Sequence, residues 1–163
     1  MPVLAVMSHD AKGDRTEPEA SRAGPAPAVG ATIAAALAFA GVGAVAWNLG
    51  GDATGPVAGA VVSLLAGPLA LFPAARPGGL LLVWNALGIG CAMFALGILS
   101  VGALVAFPLA LLGIALASWP RRAGEPLASV PAIAVYIAGF LLVPALYEYY
   151  DDLFAHFRTL IGL

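Results

Sequence analysis

An all-α integral-membrane helical bundle is the fold class this sequence predicts, and three observations predict it. Of 163 residues, 61% are hydrophobic and 10% charged, with a mean hydropathy of +0.97, whereas a soluble domain carries about 25% charged residues. The charges are also clustered, so that residues 28–49, 56–75, 78–119 and 127–147 contain no Asp, Glu, Lys, Arg or His. About 20 apolar residues suffice to cross a bilayer core as a helix. Finally, Lys12, Arg15, Arg22, Arg76, Arg121 and Arg122 all fall on one side of the membrane if the chain crosses five times, and only Arg158 falls on the other. By the positive-inside rule the first side is the cytoplasm.

Residues 1–27 form the leader. Ser8 to Pro27 holds four acids, three bases, three prolines, two glycines and no aromatic residue, a composition that buries too little apolar surface to offset the entropy of ordering. A flexible cytoplasmic segment is expected, starting at Met1 or at Met7. The first crossing follows at 28–49. Ala44-Val45-Ala46 fits a signal-peptidase pattern, but the apolar run before it exceeds the usual 7 to 15 residues, which favours an uncleaved anchor.

A tight turn, Gly50-Gly51-Asp52-Ala53-Thr54-Gly55, leads to a second crossing at 56–75 with Pro56 at its first position. The run from Gly78 to Trp119 is too long for one crossing, since 42 residues of helix would extend about 63 Å. It is expected to fold back near Leu99-Ser100-Val101-Gly102, giving a third crossing at 78–99 and a fourth at 102–119. The fifth spans 127–147, with Tyr147, Tyr149 and Tyr150 at the outer interface and Trp47 at the outer end of the first. Four crossings result instead if two of the weaker segments fuse or the fourth, which carries Pro108, is re-entrant; the C-terminus then becomes cytoplasmic rather than extracytoplasmic.

The tail, 148–163, reads as an amphipathic helix. At 100° per residue Tyr149, Tyr150, Leu153, Phe154, Phe157, Leu160 and Ile161 share one arc, and Glu148, Asp151, Asp152, His156, Arg158 and Thr159 the other. A lipid-binding surface helix is usually basic on its polar face, whereas this one is acidic, so docking against protein is favoured over attraction to headgroups.

Helices in lipid associate through close backbone approach, which small residues at four-residue spacing permit. Gly55, Gly59, Ser63 and Gly67 form such a stripe, expected to be the packing centre of the bundle or a contact between copies. Ala36, Ala40 and Ala44 in the first crossing, and Gly88 with Ala92 and Ala86 with Gly90 in the third, offer further close approaches. Pro68 and Pro108 are expected to kink the second and fourth crossings.

The same charge map excludes several chemistries. A net charge of -2 without a basic stripe argues against nucleic-acid binding. One cysteine, Cys91, excludes a disulfide framework, and with no base or cation nearby it is expected to fill space. His9 and His156 lie outside the crossings, leaving no ligands for haem or a metal, and no cofactor is expected. The crossings lack the ionisable groups that proton coupling or acid–base catalysis needs. What remains is a sparse polar set, Asn48, Asp52 and Asn85, for which turn formation and helix–helix hydrogen bonding compete with a site for a cation or polar ligand.

Gly51-Asp52, Gly55 and Ala58, then Trp84-Asn85-Ala86-Leu87-Gly88 and Phe107-Pro108-Leu109, resemble a loose pattern of uncharacterised bacterial integral-membrane proteins with four or five crossings. The resemblance covers roughly 52–119 and implies a multi-pass protein of the bacterial inner membrane, with no activity attached. Such proteins often carry an acid three residues after the glycine of the Trp-Asn motif, where this chain has Cys91.

The function expected from these features is that of a non-catalytic accessory, assembly or stabilising subunit of a larger membrane complex, whose partners are the lipid bilayer and other membrane subunits or a second copy. The alternative is a transporter or channel for a neutral or lipidic solute, with a path near Pro68 and Pro108 lined by Ser63, Asn85 and Ser100. A third reading, an enzyme using Asp52, Glu148, Asp151, Asp152 or His156 at the outer surface, requires those groups to converge. Topology is open to direct test. In a Cys91→Ala background, Ala53→Cys and Thr159→Cys are expected to react with an impermeant maleimide in intact cells, and Ser8→Cys and Ala123→Cys only after permeabilisation; the reverse pattern rejects the orientation.

Overall fold

The computed structural model describes the backbone of residues 24–97, 101–121 and 126–161, and side chains as far as 146 except that of Val101; residues 1–23 of the leader and Ser100 lie outside the described residues, and the first helix begins at Ala26, two residues before the expected boundary. Five α-helices, α1 (Ala26–Asn48), α2 (Thr54–Leu69), α3 (Arg76–Gly97), α4 (Ala106–Ala117) and α5 (Val130–Ile161), are joined by turns, with a 3-10 segment, Val101–Val105, ahead of α4. The described residues contain no strand, so the architecture is all-α.

The helix ends follow from local chemistry. At the end of α1, Gly50 adopts φ +75°, a left-handed conformation open to glycine at little cost. Its N–H bonds to Trp47 O at 3.0 Å and the Gly51 N–H bonds to Ala46 O at 2.8 Å, the two reversed bonds of a Schellman stop. Asp52 then accepts from Thr54 N–H at 2.8 Å and from Thr54 Oγ1 at 2.6 Å, opening α2 with Pro56 as its third residue rather than its first. Pro56 is tolerated there without loss, because the first four N–H groups of a helix have no intrahelical acceptor.

Pro68 stands inside α2, one residue before its end. Lacking an N–H it leaves Leu64 O unbonded, and Ala70, Leu71 and Phe72 bond back three residues instead of four, to Gly67, Pro68 and Leu69. The helix therefore ends at Leu69, six residues before the expected boundary at 75. Pro108 is not mid-helix. The chain changes from 3-10 to α at Ala106, so Pro108 is the third residue of α4 and stands in its first turn. Pro144 also stands inside a helix, within α5, a position for which the sequence reading expects no kink.

No break separates a fifth crossing from the tail: α5 is one 32-residue helix. Two helices, Ala26–Asn48 and Arg76–Gly97, are long and apolar enough to cross a membrane, while Thr54–Leu69, Gly102–Ala117 and Val130–Leu146 are apolar but shorter. At 16 residues, α2 extends about 24 Å against a hydrocarbon core of about 30 Å. Among the described residues two helices therefore meet the length and hydropathy of a crossing, and α2 and Gly102–Ala117 are shorter.

Helices α1, α2, α3 and α4 form a closed ring in which each packs against the next and α4 returns to α1; α5 docks outside it, chiefly on α3. The interior is built of small side chains, among them Ala28, Ala35, Ala66, Ala86 and Ala115, with Phe39 fully buried among them. Added methyl groups at Gly59 and Gly90 would stand 3.1 and 3.2 Å from the Phe39 ring, so this one large wedge from α1 is received by notches on α2 and α3. Gly55 meets Met93, and Gly67 lies against Thr32. The Gly55, Gly59, Ser63, Gly67 stripe is accordingly buried within the ring and presents no surface to a second copy. Thr32, unnoticed in the sequence, is fully buried and bonds its own helix at Ala28 O, 3.1 Å, and Val29 O, 2.9 Å.

The α3–α5 contact is closer still. A methyl at Gly88 would collide with the Tyr136 carbonyl, and one at Gly139 with the Asn85 carbonyl, so two backbones touch where each has lost its side chain. Gly88→Ala and Gly139→Ala are each expected to cost about 1–3 kcal/mol, the range for overpacking, in an SDS-unfolding titration. Gly41→Ala and Gly113→Ala, where an added methyl meets nothing within 4 Å, are expected to be neutral or to stabilise by up to about 1 kcal/mol through helix propensity. Equal losses at all four positions would contradict this packing.

Candidate functional site

Two concave features of the described residues lie at opposite ends of α3. The larger, about 950 Å³, opens beside the α1–α2 turn, between Val42 and Ala46 of α1, Gly55 of α2, Met93 and Leu96 of α3, and Val105. Pro144 of α5 closes one side. Nothing in the periodicity of the sequence announces such a cleft, since it depends on the relative depth of four helix ends.

Among the described residues Asp52 is the single acid on its wall. One carboxylate oxygen is committed to Thr54, and the other, Oδ2, is buried without a hydrogen-bond partner. Asn48 is exposed and turns back on its own helix, donating to Ala44 O at 2.8 Å. Asn85 stands eight residues, about 12 Å, along α3 from Met93, outside the cleft. Its amide donates to Val135 O of α5 at 3.0 Å. Asn48, Asp52 and Asn85 therefore do not converge on a common polar site: the first ends a helix, the second starts one, and the third joins two.

Around Asn85 the α3–α5 seam carries further specific contacts. Trp84 Nε1 donates to Leu127 O at 3.1 Å, and its ring meets Tyr136 edge to face at 6.3 Å and 84°. Of the three residues expected to line a solute path, Ser63 and Asn85 are described and Ser100 is not. Ser63 Oγ is buried and donates to Gly59 O at 2.7 Å, and neither Ser63 nor Asn85 lines either concavity.

The second concavity, about 440 Å³, lies at the other end, between the α2–α3 turn and the segments flanking the α4–α5 connection. Arg76 and Arg121 both line it, with Trp119 on the same wall. The Arg76 side chain is fixed by its Nε–H donating to Ala70 O at 3.1 Å. Trp119 is buried against Gly79 and Leu69. In the sequence these two arginines serve only to orient the chain, and the distance along it between positions 76 and 121 conceals that they share a groove.

Among the described residues no three His, Cys, Asp or Glu side chains lie together to hold a metal, and Cys91 is a free, half-buried thiol. The side chains of Glu148, Asp151, Asp152 and His156 fall outside the described residues. The chain matches no protein-family model, no curated protein and no solved structure.

The polar groups at the turn and the seam have separable energetic roles. Asp52→Ala is expected to cost about 1 kcal/mol, the usual size of a lost N-terminal bond, while Asp52→Asn keeps the acceptor and most of the stability. Asn85→Ala is expected to cost about 0.6–1.7 kcal/mol, the range for interhelical bonds in membranes, and to loosen α5 on α3, read as faster amide exchange confined to α5. A loss spread evenly over the ring would contradict the assignment.

Proposed function

We propose that this chain is a small multi-pass protein of a bacterial inner membrane, crossing five times with its N-terminus in the cytoplasm, and that it serves as a non-catalytic accessory, assembly or stabilising subunit of a larger membrane complex. One observation carries the reading. The ring buries its small residues internally, whereas α5 is held on one side and leaves Val130, Ile133, Ile137 and Leu141 exposed at helical spacing. Large apolar side chains also point outward from other helices, among them Leu37, Leu65 and Phe107, an arrangement a soluble monomer rarely tolerates. The two short helices, α2 and α4, reach across a bilayer by local thinning or by lying beside longer neighbours, each at modest cost.

Because the glycine stripe is enclosed within the chain, the partner contact passes to the free face of α5 and the acidic tail that continues it. A second reading, a carrier or channel for a neutral or lipidic solute, draws support from the 950 Å³ apolar cleft. Of the residues first expected to line its path, Ser63 and Asn85 are committed to backbone carbonyls, and Ser100 lies outside the described residues.

Purification of the full chain from its native membrane in mild detergent tests the leading reading. A stoichiometric partner is expected, lost on Ile133→Ser/Ile137→Ser and retained on Val61→Ser, an exposed position on α2. Recovery of a strictly monomeric protein, or equal loss of the partner in both variants, would overturn it.

A further inference from the structure

We propose that the groove holding Arg76 and Arg121 is a binding site for the phosphodiester of an anionic phospholipid at the cytoplasmic end of the bundle. The proposal rests on the membrane reading above and adds a ligand to it.

Arg76 is the first residue of α3 and Arg121 follows α4, so two helices that are neighbours in the ring deliver one guanidinium each to one concavity of about 440 Å³. Among the described residues neither guanidinium is paired with an acid; Asp52, the one acid whose side chain is described, lies at the opposite end of α3. The Nε–H of Arg76 is committed to Ala70 O, which fixes the plane of the group and leaves its two terminal amino groups to meet a ligand. Two like charges in one groove at a membrane boundary repel each other in a medium less polarisable than water. A singly charged phosphodiester between them removes that cost and satisfies the planar donor geometry of arginine.

The walls discriminate between a lipid headgroup and a free anion. Leu80 and Leu81 carry the groove from the charged end up along α3, with Trp119 beside them, an apolar track where glycerol and the first acyl carbons would run. Pro73, Pro77 and Pro120 fix the backbone on both sides, so little order remains to be imposed on binding. A charged mouth, an apolar continuation and a position on the Lys/Arg-rich side together match the way basic pockets between transmembrane helices take anionic headgroups.

The experiment uses the full chain in a neutral detergent, titrated separately with dioctanoyl phosphatidylglycerol, dioctanoyl phosphatidylcholine and inorganic phosphate, and read by native mass spectrometry and thermal shift. Phosphatidylglycerol is expected to bind at least about tenfold more tightly than phosphatidylcholine, a difference of one decade in affinity. Arg76→Gln/Arg121→Gln is expected to abolish that preference, Arg76→Lys/Arg121→Lys to keep part of it, and Arg158→Gln, at the far end of α5, to leave it unchanged. Helix content without lipid is followed for each variant, and the Lys pair keeps the test decisive if the Gln pair misfolds. Equal affinity for the two lipids, an unchanged preference in the Gln pair, or an equal loss in Arg158→Gln would overturn the proposal. Competition by inorganic phosphate at the lipid's own concentration would also overturn it, in favour of a free-anion site. These outcomes concern the lipid alone, whereas failure of the subunit reading shows separately, as absence of a protein partner from native membranes.

Discussion

Most helix pairs in this protein meet where a side chain has been reduced to a hydrogen or a methyl group, and the rest of the structure depends on that. Between α1 and α2 the meeting points are Gly59 under Phe39 and Gly67 under Thr32; between α2 and α3, Gly55 under Met93; between α3 and α4, Gly90 under Leu109. Between α3 and α5 the reduction is complete, with Gly88 and Gly139 bringing backbone against backbone. In lipid, apolar surface gains little by being buried in protein, so cohesion comes from dispersion at short range and from occasional interhelical hydrogen bonds. A ring of four helices can then close only if its interior is narrow. Phe39 enters it because two glycines make room, and Val83, Val105 and Leu112 are buried with it.

Polar groups are satisfied at equally short range. Thr32, Ser63 and Ser118 each bond a carbonyl of their own helix, which satisfies the hydroxyl without reaching across the bundle. Asn85 and Trp84 instead donate to carbonyls of α5 and of the segment before it. These two bonds and the glycine crossing hold a helix that has almost no other neighbour. Helix α5 is therefore attached along one line and free around the rest, which is why the proposed partner surface falls there. The two concavities lie at the ends of the ring. Among the described residues, no passage between them is lined by the hydroxyl and amide groups the sequence suggested.

Much of the fold was legible in the sequence alone. Helical class follows from uncharged runs of the right length. The division of residues 78–119 into two helices follows from a run of twice the membrane thickness, and the turn at Gly50-Gly51-Asp52 follows from residues with few other backbone uses. The glycine stripe on α2 was also visible as a packing face. Its partner was not, because a four-residue repeat identifies which side of a helix is narrow without saying what fills the narrowness. Pro68 and Pro108 show the complementary limit. A proline removes one donor wherever it stands, but whether this bends a helix or ends one depends on where the neighbouring turns begin.

The sequence by itself determined the helical class, the two long apolar helices, the stop after α1, the opening of α2 and the segregation of charge to the chain's ends and short loops. These are properties of contiguous residues, governed by hydropathy, by the missing N–H of proline and by the left-handed freedom of glycine. Tertiary structure decided that the glycine stripe faces inward, that Asn48, Asp52 and Asn85 stay apart, that α5 runs on through the tail without a break, and that Arg76 and Arg121 share one groove. Each of these turns on how helices are rotated and staggered against one another. Rotation and stagger are set by contacts between residues tens of positions apart, as Asn85 with Val135 and Gly79 with Trp119 are here, and no local pattern encodes such pairs.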